Sequence, residues 1–323
     1  MSSGPTYLVT GGAGFIGSHI VERLLGDGHS VRVVDNLSTG RALNLGFARG
    51  LPAGRFDLIE CDLGDLDRLR PALAGVDGVF HQAALPSVPR SVKDPLESHR
   101  VNTTGTLGLL IAAREAGVPR LVYASSSSVY GDSPELPKVE SMPPRPLSPY
   151  ATGKLTAEHY CRVFHHLYGL GTVALRYFNV FGPRQDPTSE YAAVIPKFIS
   201  ALGRGESPLV HGDGTQSRDF TFIADVVEAN LRGMEAAPGA WGRAYNVAAG
   251  RRVTLLQLLD MLRDLLGVDV AARFGPPRPG DVPHSQADSS LARMHLGWEA
   301  RVSMEEGLRR TVASWTAGER DAG

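Results

Sequence analysis

Short apolar runs alternate with amphipathic stretches through the first half of the chain. The runs are Tyr7 to Thr10, Val31 to Val34, Phe56 to Glu60, Gly78 to His81 and Leu121 to Ala124. They are rich in branched and aromatic side chains and end at turn-forming residues, the pattern of strands buried on both faces. Between them, Phe15 to Leu25, Leu96 to Ala116 and Tyr150 to Leu167 repeat apolar positions every three or four residues, which predicts helices. Strands separated by helices pair in parallel, so the expected architecture is α/β with a doubly wound parallel sheet.

After about Leu175 the regularity breaks. The segment Phe178 to Asp219 is rich in Gly, Pro and Asn, with one helix-like run, Val194 to Gly203. Phe220 to Met234 reads as a strand and helix, and Tyr245 to Val247 as a strand leading to a helix over Thr254 to Leu266. A proline-rich stretch, GPPRPGDVP, follows from Gly275 to Pro283. This predicts a sheet domain over 1–178, with a return at about 220–248, and a smaller α/β lobe from 179–219 and 249–316. The polar tail, 317–323, is expected to fray.

The length of 323 residues agrees with about two domains at roughly 150 residues each. Lys plus Arg is 33 and Asp plus Glu is 34, a net charge of -1. That excludes a general nucleic-acid or membrane-surface binder, which needs a basic excess, and leaves room for a local pocket that takes a small anion. Cys61 and Cys161 have neither disulfide-scaffold nor zinc spacing and read as small buried hydrophobes, so no metal is expected. No apolar run approaches the ~18 residues of a membrane span. The start, MSSGPTYLVT, carries no basic region ahead of a long apolar segment, so the expected location is cytoplasmic.

Chemistry enters with GGAGFIG, Gly11 to Gly17. Glycines 11, 14 and 17 lie between the first strand and the first helix, where backbone N–H groups and a helix N-terminus can face a pyrophosphate. Asp35 closes the second strand 18 residues after Gly17. A carboxylate there accepts from both adenosine ribose hydroxyls and repels a 2′-phosphate. Only Arg41, beyond DNLSTG, could offset that repulsion, so NAD is expected rather than NADP. The fold expected is thereby Rossmann-type.

Two further features are YASSSSVYGD, Tyr123 to Asp132, and YATGK, Tyr150 to Lys154. Tyr150 and Lys154, four apart, share a helix face. A free phenol titrates near ~10 and is a poor base at neutral pH. A lysine ammonium one turn away and the positive nicotinamide would favour the phenolate. A nearby serine hydroxyl can bond the same substrate oxygen and share its proton. Tyr and Lys at this spacing also occur on ordinary amphipathic helices; the serine-rich strand end ahead of them gives the pair its significance.

With these motifs the chain resembles the extended short-chain dehydrogenase/reductases, and among them the nucleotide-sugar 4-epimerases. The resemblance spans about residues 5 to 315 and rests also on HQAA (His81 to Ala84), RYFNVFGPRQDP (Arg176 to Pro187) and GDGTQSRDFTFIADV (Gly212 to Val226). SVPRSVKDP (Ser87 to Pro95) and YAAVIPKF (Tyr191 to Phe198) make it most similar to enzymes acting on UDP-N-acetylglucosamine and UDP-N-acetylgalactosamine. The resemblance implies Ser126, Tyr150 and Lys154 as catalytic residues, with Ser127 and Ser128 as alternates to Ser126. Related dehydratases carry Asp and Glu where this chain has Ser127 and Ser128, so water elimination is not expected. Pro86 stands where galactose 4-epimerases often carry a cofactor-contacting lysine.

The cofactor residues implied are Gly11, Gly14, Phe15, Ile16 and Gly17 in the first turn, and Asp35, Asn36, Ser38, Thr39 and Gly40 after the second strand. Asp62 and Leu63 follow the third strand. Gln82, Ala83, Ala84, Asn102 and Tyr177 complete the set, with Tyr150 and Lys154. For the sugar nucleotide, Arg218 and Arg278 are the implied diphosphate ligands. Asn179, Ala193, Val194 and Lys197 match positions that hold diphosphate or uracil, Val210 and His211 the segment on the base, and Asp281 a ribose ligand. Ser87, Ser126, Ser127 and Tyr150 bound the sugar, with Arg90 nearby. Ser285 is small where a bulky Tyr would exclude a 2-acetamido group, so N-acetylated sugars are expected to enter.

The implied reaction is oxidation at C4, rotation of the 4-keto sugar about its diphosphate linkage, and return of hydride to the other face. A UDP-glucuronate 4-epimerase, a net NAD-dependent dehydrogenase and a non-catalytic NAD-binding regulator remain as alternatives. Related enzymes pair through a four-helix bundle, so a homodimer through Leu96 to Ala116 and Tyr150 to Tyr168 is expected.

Overall fold

The structure, a computed structural model, describes residues 4–187, 193–277 and 282–320. The chain runs β1 (Thr6–Thr10), α1 (Phe15–Gly26), β2 (Ser30–Asp35), β3 (Phe56–Glu60), α2 (Leu66–Ala72) and β4 (Gly78–His81). It continues with α3 (Val88–Lys93), α4 (Pro95–His99), a π turn (Arg100–Gly105), α5 (Thr106–Glu115) and β5 (Arg120–Ser126). Then come α6 (Pro149–Tyr168), β6 (Gly171–Tyr177), β7 (Val180–Phe181), α7 (Val194–Gly203), β8 (Leu209–His211), β9 (Ser217–Arg218) and β10 (Thr221–Phe222). The last elements are α8 (Ile223–Glu235), β11 (Arg243–Val247), β12 (Val253–Thr254), α9 (Leu255–Leu266), β13 (Arg273–Gly275), α10 (Ser290–Leu296) and α11 (Met304–Arg320).

Seven strands form one parallel sheet in the order β11-β6-β5-β4-β1-β2-β3. The order reverses between β1 and β4, and in such sheets ligands bind beyond the carboxyl ends at that switch point. Alternation along β1 splits the core between the two faces: Leu8 packs with α2, α5 and α6, Val9 with α1 and α8. The core on the Val9 side continues without a break into Phe198, Leu202, Leu258 and Leu262 of α7 and α9. The smaller lobe thus leans on the sheet through shared apolar contacts.

Local signals explain the element ends. Ser148 caps α6 by accepting from Ala151 N at 3.1 Å, Pro149 opens it, and Gly169 ends it in the left-handed region at φ 74. Thr254 and Gln257 form a reciprocal capping box at the start of α9.

Several expectations change. The helix read over Leu96 to Ala116 is interrupted by the π turn, which carries the buried Asn102. β6 runs through Leu175 to Tyr177, so regularity persists two residues longer than the pattern suggests. The strand expected at Phe220 is only Thr221–Phe222, and it pairs with β7 outside the main sheet. The last helix is described as far as Arg320. Among the described residues no helix is long and apolar enough to cross a membrane.

Candidate active site

The glycine turn sits at the carboxyl end of β1. Gly11 has φ 67, and a Cβ there would lie 2.6 Å from Ala83 N, so β1 and the loop after β4 approach through a bare backbone. A Cβ on Gly17 would lie 2.2 Å from Gly11 O, which lets α1 start directly on the turn. Gly14 is the N-cap of α1; it offers no side-chain cap, and the first turn holds no acid. A Cβ on Gly14 would meet only Gly11 O, at 3.1 Å. These are the features of a cradle for an anion: unsatisfied N–H groups, a positive helix end and open space. Phe15 and Ile16, half-buried, open the helix beside it.

Asp35 ends β2 with its Oδ2 accepting from Ala13 N at 2.9 Å and its Oδ1 from Leu37 N at 2.8 Å. Burial pushes its carboxyl above the ordinary value, against the pull of those two N–H groups. Asn36, Ser38 and Thr39 are exposed beyond it, and a Cβ on Gly40 would meet Asp35 Oδ2 at 2.9 Å. The donor set thus fits a dinucleotide: N–H groups for the pyrophosphate, a carboxylate for a ribose.

Other expected cofactor residues are already committed within the chain. Asp62 accepts from Arg100 Nη1 at 2.8 Å and Asn36 Nδ2 at 2.9 Å, and the Arg100 hydrogen bond chiefly holds its carboxyl at about 2. Leu63 is buried in the core between α2 and α5, so only its backbone faces the site. Both polar atoms of the Asn102 amide bond the Leu85 backbone, at 2.8 and 3.1 Å, which ties down the loop carrying Ala83 and Ala84. The Tyr177 hydroxyl meets Gln82 Oε1 at 3.2 Å and Asn230 Nδ2 at 2.8 Å, and Gln82 donates to Asn230 Oδ1 at 2.9 Å. Ser87, at φ 94, caps α3 by accepting from Arg90 N at 3.3 Å.

Ser126, Tyr150 and Lys154 come together where β5 ends against α6. Ser126 Oγ accepts from Ser128 N at 3.2 Å and lies beside the Tyr150 side chain. Lys154 Nζ donates to Ala124 O at 2.7 Å and lies 5.9 Å from the Tyr150 ring centre. The chain's own groups, without the positive nicotinamide of the expectation, leave both charged forms disfavoured. Burial raises the Tyr150 phenol, with only the neighbouring Ser126 opposing, and burial lowers Lys154 to about 7. Desolvation penalises both charged forms, and the chain's own residues do not overcome it. Ser127 and Ser128 sit in the following 3-10 turn, Ser127–Tyr130.

A cavity of about 210 Å³ opens between β7, α7 and β9. Asn179, Ala193, Val194, Lys197, His211 and Arg218 line it. Asn179, held at φ 30, donates to Ser285 Oγ at 3.2 Å and Asp219 O at 3.1 Å. Val210 does not line the cavity: alternation along β8 buries its side chain in the core, and Leu209 and His211 face the space. His211 also borders a second cavity of about 770 Å³ with Phe274 and His284. Arg278 and Asp281 lie outside the described residues.

Four polar residues absent from the sequence reading belong here. Gln185 lines the smaller cavity, with a buried Oε1 that has no partner among the described residues; its place in GPRQDP is a signal. Asp219, fully buried, accepts from Gly250 N and Ala287 N at 3.1 Å, pinning two loops beside Arg218. Glu158 stands one helical turn beyond Lys154, a spacing readable from sequence. Nothing in the sequence marks Asn230.

A profile of the NAD dependent epimerase/dehydratase family matches residues 7–248. A UDP-glucose 4-epimerase of Mycolicibacterium smegmatis is 42% identical over 308 residues, 94% of this chain and 96% of that protein. Among solved structures, a UDP-N-acetylglucosamine 4-epimerase from Methanobrevibacter ruminantium in complex with UDP-N-acetylmuramic acid is 43% identical, with TM-score 0.91 over 97% of this chain and 99% of that one. A UDP-glucuronic acid 4-epimerase from Bacillus cereus, solved with NAD, is 32% identical, with TM-score 0.88 over 97% and 99% of the two chains.

Proposed function

The chain belongs to the NAD dependent epimerase/dehydratase family and is an NAD-dependent epimerase of UDP-sugars, and we propose that its substrates are UDP-N-acetylglucosamine and UDP-N-acetylgalactosamine, with UDP-glucose and UDP-galactose accepted alongside. The observation that carries this reading is the meeting of Ser126, Tyr150 and Lys154 at the end of β5, on a sheet whose switch point holds the glycine turn and Asp35. Serines at 127 and 128 favour epimerisation over dehydration, because neither can stand in for a carboxylate in proton transfer.

NAD, when bound, supplies the acceptor and donor of hydride for the sugar C4. The turn from Gly11 to Gly17 and the N-terminus of α1 hold its pyrophosphate, Asp35 an adenosine ribose and Lys154 the nicotinamide ribose. Residues 1–178, with the return at about 220–248, form the cofactor half; 179–219 and 249–316 form the sugar-nucleotide half. Tyr150 Oη takes the proton of the sugar 4-hydroxyl through a path that includes Ser126 Oγ. Arg218 holds the diphosphate, Asn179 the diphosphate or uracil, and Ser285 bounds the sugar. Ser285 is small and tied back to Asn179, which supports entry of a 2-acetamido group.

Two subunits pair through α4–α5 and α6. Leu96 is 82% exposed and Leu167 60% exposed, and Val92 and Val163 are exposed too, on α3, α4 and α6, which pack against one another. Large apolar side chains left in solvent on adjoining helices support an interface there.

The decisive experiment incubates the purified protein with UDP-N-acetylglucosamine, UDP-glucose, UDP-galactose and UDP-glucuronate, without added NAD, and follows the anomeric protons by NMR. Interconversion of the N-acetylated pair is expected, and Tyr150→Phe lowers turnover by roughly 100- to 10,000-fold while leaving the melting curve in place. Turnover of UDP-glucuronate alone refutes the substrate assignment, and near-normal turnover in Tyr150→Phe refutes the site.

A further inference from the structure

Behind the Ser126, Tyr150 and Lys154 cluster lies a buried ion pair that the reaction does not touch. Arg176 of β6 donates to Glu158 of α6 through Nη2 at 2.8 Å and Nε at 2.9 Å, and both side chains are 6% exposed. The same carboxylate accepts from Ser125 Oγ. Arg176 Nη1 donates to the Tyr130 hydroxyl at 2.9 Å, which donates to Asn246 Oδ1 at 2.7 Å.

Each partner adjoins a residue of the proposed site. Ser125 precedes Ser126, Arg176 precedes Tyr177, and Glu158 follows Lys154 by four residues on one helix face. Stability alone does not explain such an arrangement, because a buried ion pair is often no more stable than well-packed apolar residues of the same size. It does place a fixed negative charge one turn behind a lysine whose ammonium burial disfavours.

We propose that Glu158, held by Arg176, is a positioning residue for this reaction: its carboxylate keeps Lys154 charged in a buried site and fixes the strand end that presents Ser126. The proposal rests on the catalytic reading given above. The charge balance around Lys154 supports it. Glu158 is the largest influence raising the Lys154 ammonium against burial. The other titratable or charged groups around Lys154 are Tyr150 and Cys161 on its own helix, Tyr123 on β5, His81 on β4 and, on the far side of Glu158, the Arg176 guanidinium on β6. His81 is neutral, pushed down to about 3 by burial and hydrogen-bonded to Thr10 and Thr106. Burial raises Tyr123 and Cys161, so both are neutral as well. Glu158 is then the acidic group that offsets the Lys154 charge.

The test compares wild type, Glu158→Gln and Glu158→Asp in the UDP-sugar assay across pH, with thermal unfolding in parallel. Glu158→Gln is expected to lower kcat about tenfold or more with KM near wild type, and to move the alkaline limb of kcat down by about one pH unit, because Lys154 loses its proton earlier. Glu158→Asp, which keeps the charge, restores the limb. A lowered melting temperature with kcat and limb unchanged assigns the pair to stability alone and overturns the proposal. If Glu158→Gln does not fold, Glu158→Leu with Arg176→Met removes the pair without an orphaned charge. Wild-type kcat in that folded double variant overturns the proposal, and so does loss of the fold in both. Failure of wild type to turn over any UDP-sugar refutes the catalytic reading instead, so the two failures are distinguishable.

Discussion

Gly17→Ala tests the turn most directly. An added Cβ would sit 2.2 Å from Gly11 O and 2.8 Å from Gly11 C and Gly12 Cα, all backbone atoms that cannot rotate away. Restoring ordinary contact opens the turn by about 1 Å at the point where the pyrophosphate is proposed to lie. Alanine is the better helix former by about 1 kcal/mol, and overpacking costs about 1–3 kcal/mol, so the net loss of stability is about 0–2 kcal/mol. The larger effect falls on the cofactor. Ligand at 100 times its Kd adds about 2.7 kcal/mol to the native state, and Gly17→Ala is expected to lose most of that increment. The assay is denaturant unfolding with and without NAD, together with the NAD content of the purified protein. Gly26→Ala is the control: it lies at the end of the same helix with nothing within 4 Å of its added Cβ, and its stability should stay level or rise. A Gly17→Ala protein with wild-type NAD content and an unchanged NAD increment refutes the reasoning.

Three other outcomes follow from the structure. Ser285→Tyr removes the hydroxyl that Asn179 holds at 3.2 Å and fills the space beside it; kcat/KM for UDP-N-acetylglucosamine should fall about 100-fold relative to UDP-glucose, and an unchanged ratio removes Ser285 from the sugar pocket. The Asp62 carboxyl, held at about 2 against an ordinary 3.8 chiefly by Arg100, contributes stability present above pH 4 and lost as pH falls toward 2. Arg100→Met should therefore flatten that part of the acid unfolding profile, by at most about 1 kcal/mol for a pair this exposed, and an identical profile refutes the linkage. Leu96→Glu or Leu167→Glu should yield monomers in analytical ultracentrifugation, whereas an unchanged sedimentation coefficient sets this face aside.

What the sequence reveals and what it hides divide along a physical line. Gly11, Gly17 and Asp35 are legible because a strand, a turn and a helix of fixed geometry set their spacing. Tyr150 and Lys154 are legible for the same reason, since four residues make one helical turn. The inward turn of the Val210 side chain is not legible, because β8 is three residues long and gives too little alternation to tell its inward face from its outward one. The commitments of Asn102 to Leu85 and of Tyr177 to Asn230 are invisible because they join residues 17 and 53 positions apart. The desolvation of Tyr150 and Lys154 is invisible too, because spacing shows which charges are neighbours but not how much water they lose.

The seventh strand has a consequence for how the protein is made. β6 is buried along all seven residues and is bounded on one side by β5 and on the other by β11, which the chain supplies only at Arg243–Val247. During synthesis at roughly 5–20 residues per second, the ribosome takes on the order of 4–14 s to travel from Tyr177 to Val247. For that interval the nascent sheet ends in an apolar strand with unpaired N–H and C=O groups, a template for pairing with another chain. A fragment cut after residue 178 would make that transient exposure permanent. The sheet up to β6 is therefore incomplete on its own, and the smallest piece that closes it extends at least to Val247.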